Sequence, residues 1–326
     1  MDRLAVSSGL MTATLSKSIS ELRQKIGTTS TEATTGRYQD LTLHMSGRIG
    51  KAMLGQKALT DLTTERDVLN LRASRLNLLQ TSLTNLQESA TGIAADMLDA
   101  IGTDHEVGVI TSARDAKAAL DKIFSSLNVR YGERFLFSGD ATASQPFPDP
   151  SVLMNDIEQM AQTATDSADF QAQLDTYFES PTGGWSQNLF NGSPTASDPE
   201  SVSADHSAIK SLISNLAVLA ASGSNGSLAE LDGYKDLIQA TSLKLTSSET
   251  EVTNLRADLG VFEERISTNL KNLETEETLL TEAFNQMTGR DQYEAATELQ
   301  SLQTMLEASY LITARLSQLT LTNYLG

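Results

Sequence analysis

Four features of this chain invite a chemical reading. Gly47-Arg-Ile-Gly50-Lys51 has the glycines and lysine of a phosphate-binding loop. It lacks the four-residue gap between glycines, and Ala52 stands where a Ser or Thr hydroxyl would hold magnesium. Ser207-Ala-Ile-Lys210 matches the bare Ser-x-x-Lys of penicillin-recognising enzymes, but neither the Ser-Asp-Asn nor the Lys-Thr-Gly element accompanies it. His44, His105 and His206 never fall at the HxxxH or HExxH spacing that sets two metal ligands on one helix face. With no cysteine, disulfides, thiolate nucleophiles and Cys-bound metals are excluded. The 42 carboxylates could supply a general acid/base pair, which needs two groups in different environments, and this leaves an acidic helical hydrolase as one alternative. The spacing singles out no such pair. No catalytic, metal or cofactor-binding residue is expected.

Composition narrows the field further. The 326 residues carry 24 Lys plus Arg against 42 Asp plus Glu, a net charge of -18, which repels phosphate backbones and argues against nucleic acid as a partner. Hydrophobic residues make up 39% of the chain but aromatics only 5%, with one Trp, a mix that favours Leu/Ala helices over sheet. Met1 to Thr14 offers no apolar core for a secretory signal. The longest clean apolar run, Leu216 to Ala221, is far below the roughly 20 residues that span a bilayer, so no membrane insertion is expected. The expectation is a protein that is soluble, or exported without a cleaved signal. Asn191-Gly-Ser and Asn225-Gly-Ser fit a glycosylation sequon but, without such a signal, read as turns.

All six prolines (146, 148, 150, 181, 194 and 199) fall in one window. Both flanks are therefore free to form long helices. Between Asp140 and Lys210 there are eleven acidic residues and one basic, so residues 140–205 read as a small, acidic, outward inserted domain with two short helices around 152–178. In the first flank Leu62, Leu69, Leu76 and Leu83 repeat every seven residues, and Leu79, Leu86, Ala90, Ile93 and Met97 complete a coiled-coil-type seam, with Glu65 and Arg72 as polar interruptions. The second flank answers with Val252, Leu255, Leu259, Phe262, Ile266, Leu273, Leu280 and Met287. The predicted fold is mainly α: an elongated antiparallel helical rod, built from residues 46–139 and 206–284, with the insert between its halves.

The two ends are apolar beyond what one helix pair can hide. Met11, Leu15, Ile19, Leu22 and Ile26 make a stripe within an N-terminal assembly helix and loop, 1–45. In the C-terminal helix, 285–326, Leu306, Tyr310, Leu316, Leu319, Leu321, Tyr324 and Leu325 point in many directions. Residues 1–60 carry net +4 and 281–326 net -3, so the ends are complementary. They are expected to pair and to present surplus apolar surface to further copies of the chain. The interface predicted from sequence is Met11, Leu15, Leu22, Ile26, Leu306, Tyr310, Leu316, Leu319, Leu321, Tyr324 and Leu325.

Three stretches resemble the flagellin superfamily and, within it, the junction proteins that join hook to filament. They are Leu255-Arg-Ala-Asp-Leu-Gly260 with Asp291-Gln-Tyr-Glu-Ala-Ala-Thr-Glu-Leu299 and the run Leu306 to Leu325; Gly132-Glu-Arg-Phe-Leu-Phe-Ser-Gly139 with Gln145-Pro-Phe147; and Glu32-Ala-Thr-Thr-Gly-Arg-Tyr38. The sequence lacks the Asp-Asp-Ala-Ala-Gly stretch of many filament flagellins, and Gln39-Asp40-Leu41-Thr42-Leu43 replaces the turn often found after the Gly-Arg element. The resemblance implies a structural subunit of the bacterial flagellum, with a filament flagellin as the alternative to a junction protein. It implies terminal helices that line a tube and are disordered in the free monomer. It also implies unfolded export through the flagellar type III apparatus to the cell exterior. The partners it implies are an adjacent hook-associated protein, flagellin, and a cytoplasmic export chaperone, together with self-assembly into a ring or tube. Phe135-Leu-Phe137 reads as a short buried strand running into a Ser138-Gly139 turn.

Overall fold

The computed structural model describes residues 2–45, 47, 49–223 and 226–325, with side chains described between 13 and 316. The elements in chain order are α1 (Asp2–Thr35), α2 (Leu41–Met45), α3 (Ile49–Ala90), α4 (Ile93–Gly102), α5 (Glu106–Leu127), β1 (Arg130–Tyr131), β2 (Arg134–Phe135), α6 (Ser151–Thr163), α7 (Ser167–Glu179), a π-turn at Trp185–Leu189, α8 (Ser207–Ala221), a 3-10 turn at Ser227–Glu230, α9 (Tyr234–Thr288) and α10 (Gln292–Leu325). The mainly helical class predicted from composition is the one observed. Helices α3 and α9 run unbroken for 42 and 55 residues because neither contains proline, and Leu and Ala supply their apolar positions. The chain divides into two compact units, residues 1–66 with 271–326, and residues 67–270.

In the unit of residues 67–270, the heptad leucines of α3 are buried as the spacing predicts: Leu69, Leu76, Leu79, Leu83 and Leu86 are all in the core. On α9, Val252, Leu255, Leu259 and Ile266 are buried as well. The two helices run antiparallel, since Gln80 Nε2 donates to the Arg256 carbonyl (2.8 Å) and the earlier α9 residue Thr253 meets the later α3 residue Gln87 (3.0 Å). The interruption at Arg72 finds an opposite charge rather than a place in the seam. Arg72 Nε donates to Glu200 (3.1 Å), and Arg75 reaches Asp198 (2.8 Å) and Glu200 (3.2 Å), which ties the 196–203 loop to α3. Burial alone would raise the Asp198 carboxyl's pKa, but the Glu200 backbone N–H and Arg75 outweigh it and hold it below the ordinary carboxylate value.

A second core layer joins α4, α5 and α8, whose contacts follow directly from the apolar run Leu216–Leu219, buried on every side. Residues 140–205, expected as an outward insert, bring the largest side chains of the molecule into this layer. Phe147 sits 4.9 Å from Phe124 of α5, and Trp185 packs on Phe147 (5.5 Å), Phe178 (5.4 Å) and Phe190 (6.0 Å). The indole N–H donates to Asp205 (2.7 Å), so the buried ring leaves no polar atom unpaired.

The Phe-Leu-Phe segment differs from its sequence reading. Only Arg134 and Phe135 are in a strand, paired antiparallel with Tyr131 and Arg130 across a tight turn, while Leu136 and Phe137 are buried beyond the strand's end. Ser138 bridges Ser203 instead, and the Phe137 carbonyl accepts from Ala204 N (2.8 Å). Gly139 then turns at φ 60, where an added Cβ would lie 2.3 Å from the Ser193 carbonyl oxygen and 2.5 Å from that of Thr195. Backbone cannot yield as a side chain can. Gly139→Ala should therefore cost about 2 kcal/mol or more, combining left-handed strain with overpacking. The urea midpoint followed by fluorescence of Trp185, the single tryptophan, measures it.

Candidate assembly interface

Helices α1 and α10 of the other unit pack along a regular seam. On α1 the seam runs through Leu15, Ile19, Leu22, Ile26, Thr29 and Ala33, with Thr28, Ser30 and Glu32 also buried or half-buried; on α10 the buried and half-buried positions are Ala295, Leu299, Leu302, Leu306, Ser309, Thr313 and Leu316. Both series step four, three, four, three, as a two-stranded coil requires. The pairing is antiparallel: Arg23 donates through Nε (2.9 Å) and Nη2 (2.5 Å) to the Tyr310 hydroxyl, and Gln292 Nε2 donates to the Thr34 carbonyl (3.5 Å). Thr29, Ser309 and Thr313 dilute the apolar seam, so the pair buries only a narrow stripe on each helix.

A polar hub anchors this pair where α1 meets α2 and α9 meets α10. Gly36 ends α1 at φ 66, a left-handed turn that favours glycine, and Arg37 bridges Gly289. Across the bridge, Tyr38 N donates to Thr288 O (3.3 Å) and Arg290 N to Gly36 O (2.9 Å). Arg290 Nη1 donates to Glu32 (2.5 Å), Nη2 donates to Glu298, and the guanidinium lies 5.2 Å over the Tyr38 ring, which itself stacks on His44 at 3.6 Å. Glu32 also accepts from Gln39 N (3.0 Å), so one buried carboxylate serves both the α1–α2 turn and the α9–α10 turn. Burial pulls the Arg290 pKa down, but the Glu298 hydrogen bond and the neighbouring carboxylates raise it further, to a net value above that of a free arginine. Asp291 caps α10 by accepting from Tyr293 N (2.8 Å) and Glu294 N (3.2 Å).

The apolar residues of α10 exceed what α1 covers. Leu311 is 65% exposed, Met305 54% and Ile312 49%, all on faces turned away from the seam. Of the interface predicted from sequence, Leu15, Leu22, Ile26, Leu306 and Leu316 are half-buried in the α1–α10 seam, and Tyr310 is exposed at its edge with its hydroxyl held by Arg23. The side chains of Met11, Leu319, Leu321, Tyr324 and Leu325 lie outside the described residues. The described members of that list thus lie in or at the edge of the seam within the chain, and the residues that face outward on α10 are Met305, Leu311 and Ile312, which the list did not contain. The hub of Glu32, Tyr38 and Arg290 was absent from that list. Its signal was present, as charged residues set against glycines at two helix ends.

The chemical motifs acquire local roles. Lys210 lies 3.1 Å from Asp205 and 5.8 Å over the Trp185 ring, while Ser207 is exposed at the start of α8. Gly50 and Lys51 belong to the first turn of α3, and Arg48 lies outside the described residues. His206 caps α8 by accepting from Ala208 N (3.2 Å), and His105 precedes α5. Among the described residues no group of three His, Asp or Glu is placed to hold a metal ion, and no helix is long and apolar enough to cross a membrane. Asn191 lies in an irregular segment, where its N–H donates to the Pro146 carbonyl (2.9 Å) far away in sequence; Asn225 lies outside the described residues.

Comparison with curated proteins gave no match. Among solved structures, a chain from Vibrio parahaemolyticus provisionally described as a flagellar hook-associated protein aligns over 70% of this chain and 95% of its own, at 14% identity and a TM-score of 0.35. Residues 243–325, which comprise most of α9 and all of α10, match the family described as the bacterial flagellin C-terminal helical region, and over that segment this chain is flagellin-like.

Proposed function

We propose that this chain is a structural subunit of the bacterial flagellum that self-assembles through α1 and α10, and that it serves as the hook–filament junction protein, hook-associated protein 3. The observation that carries the assembly reading is the apolar surplus on α10: Met305, Leu311 and Ile312 stand in solvent on a helix whose one seam is already used. Flagellin-like sequence over 243–325 supports the same reading, since it covers that helix. Helices with more apolar faces than intrachain neighbours are satisfied by further copies.

The junction role is supported by the Gly132-to-Gly139 element, which resembles the junction proteins, and by the missing Asp-Asp-Ala-Ala-Gly stretch. Under this reading residues 1–45 and 285–326 form the assembly layer, 46–139 and 206–284 the rod, and 140–205 the variable segment. The neighbours are a hook-associated protein on one side and flagellin on the other, with a chaperone holding α10 before export through the flagellar apparatus to the cell exterior. The flagellin description of the matched family favours a filament subunit as the second reading. Deleting the gene separates them. Hooks without filaments, with flagellin shed into the medium, are expected; hooks that carry filaments, or loss of flagellin itself, would overturn the junction role.

A further inference from the structure

We propose that a second copy of this chain docks on the unit of residues 67–270 by inserting the Met53–Leu54 step of its own α3 into an apolar socket with an acidic rim. The inference rests on the self-assembly reading and adds to it a second contact, remote in sequence from α1 and α10.

The socket has a volume of about 200 Å³ and lies among the α4–α5 turn, the end of α8 and the start of α9. Ala100, Ile101, Val109, Ile110, Ala229 and Tyr234 line it. This is below the about 300–1,000 Å³ of small-molecule sites, so the volume fits one or two aliphatic side chains better than a free ligand. Asp104 and Glu106 stand at the rim, and the exposed Glu230, Asp232 and Asp236 adjoin the lining residues in sequence. Lys235, the cation among the lining residues, is held by Asp104 at 2.5 Å and offsets that one carboxylate, which leaves Glu106 and the adjoining Glu230, Asp232 and Asp236 as the net negative charge. An occupant should therefore pair an aliphatic anchor with flanking cations.

The same chain carries such a feature. Met53 and Leu54 are each 68% exposed on α3, a cost that a lone protomer has no reason to bear twice in succession. Lys51 and Lys57 lie three residues before and after Leu54, so all three share one helix face. Both lysines are exposed; Lys57 is paired with Asp61 (2.6 Å) one turn on, so Lys51 carries most of the positive charge beside the Met53–Leu54 step. Knob and socket are complementary in size, polarity and charge. Because they are different surfaces of one sequence, a contact between copies is heterologous and repeats from subunit to subunit, as a ring or helical tube requires.

The absence of native cysteine makes the test direct. Full-length Leu54→Cys protein and a mass-tagged Val109→Cys copy are mixed and mildly oxidised. The mixed disulfide should exceed either like-with-like product by about tenfold or more. Adding Lys51→Glu and Lys57→Glu to the knob copy should cut the mixed product about tenfold, and Glu106→Lys in the socket copy should restore part of it. A mixed yield no greater than the like-with-like yields, or indifference to the charge reversals, overturns the proposal. Sedimentation of the unmodified chain separates this failure from that of the self-assembly reading. Polymer without the mixed cross-link removes the socket alone; the cross-link without polymer removes assembly through α1 and α10 and keeps the pairwise contact; neither product removes both.

Discussion

Leu311→Glu is expected to fold like the parent chain and to fail to enter the assembled structure. Leu311 is 65% exposed on α10, so in the free protomer the exchange is a surface substitution, within about 0.5 kcal/mol of neutral. In a packed contact between copies the same carboxylate is desolvated without a partner, which costs about 3 kcal/mol or more and weakens each contact by roughly 100-fold or more. Circular dichroism should match the parent, while electron micrographs of cells carrying the variant should show no normal filaments. Leu306→Glu is the contrasting case. Leu306 belongs to the α1–α10 seam, so its carboxylate disrupts the intrachain pair and lowers helicity before any assembly is attempted. Normal filaments with Leu311→Glu, or unchanged helicity with Leu306→Glu, would reverse the assignment of outward and inward faces.

The second large effect is expected at the hub. Arg290→Ala leaves the Glu32 carboxylate, whose side chain is 6% exposed, without its cation, and removes the ring contact with Tyr38 and the bond to Glu298. Stranding a buried charge costs about 3 kcal/mol. The loss should be local. Trp185 lies in the other unit, so the change should appear as a helicity transition at lower urea or temperature that leaves the fluorescence transition in place. Arg290→Lys should rescue little, because an ammonium cannot reach Glu32 and Glu298 with two separate N–H groups while covering the Tyr38 ring. Adding Glu32→Ala to Arg290→Ala should recover part of the stability, since the stranded charge is then gone. Coincident loss of both transitions, or an additive double variant, would show that the hub does not act as one unit.

Much of the helical scaffold was legible in advance because helix periodicity is a local property. Seven-residue spacing placed Leu69, Leu76 and Leu83 in a buried seam, and the confinement of proline to residues 146–199 left the flanks free for α3 and α9. The pairing of the ends followed from their apolar stripes and opposite charge. The strand expected over Phe135–Phe137 stops at Phe135, because an apolar run reports burial and not pairing: Leu136 and Phe137 are buried beyond the end of the β1–β2 pair.

The sequence by itself determined the helical class, the seam positions and an excess of apolar residues at the chain ends, since each depends on residues a few positions apart. Tertiary structure alone decided which of those residues face inward, because Leu306 and Leu311 are equally apolar and differ only in whether α1 lies alongside. It alone brought Glu32 to Arg290 across 258 positions, and drew Phe147 and Trp185 from an acidic, proline-rich stretch into a core with Phe124. Such contacts depend on where distant segments meet, and no local period encodes that.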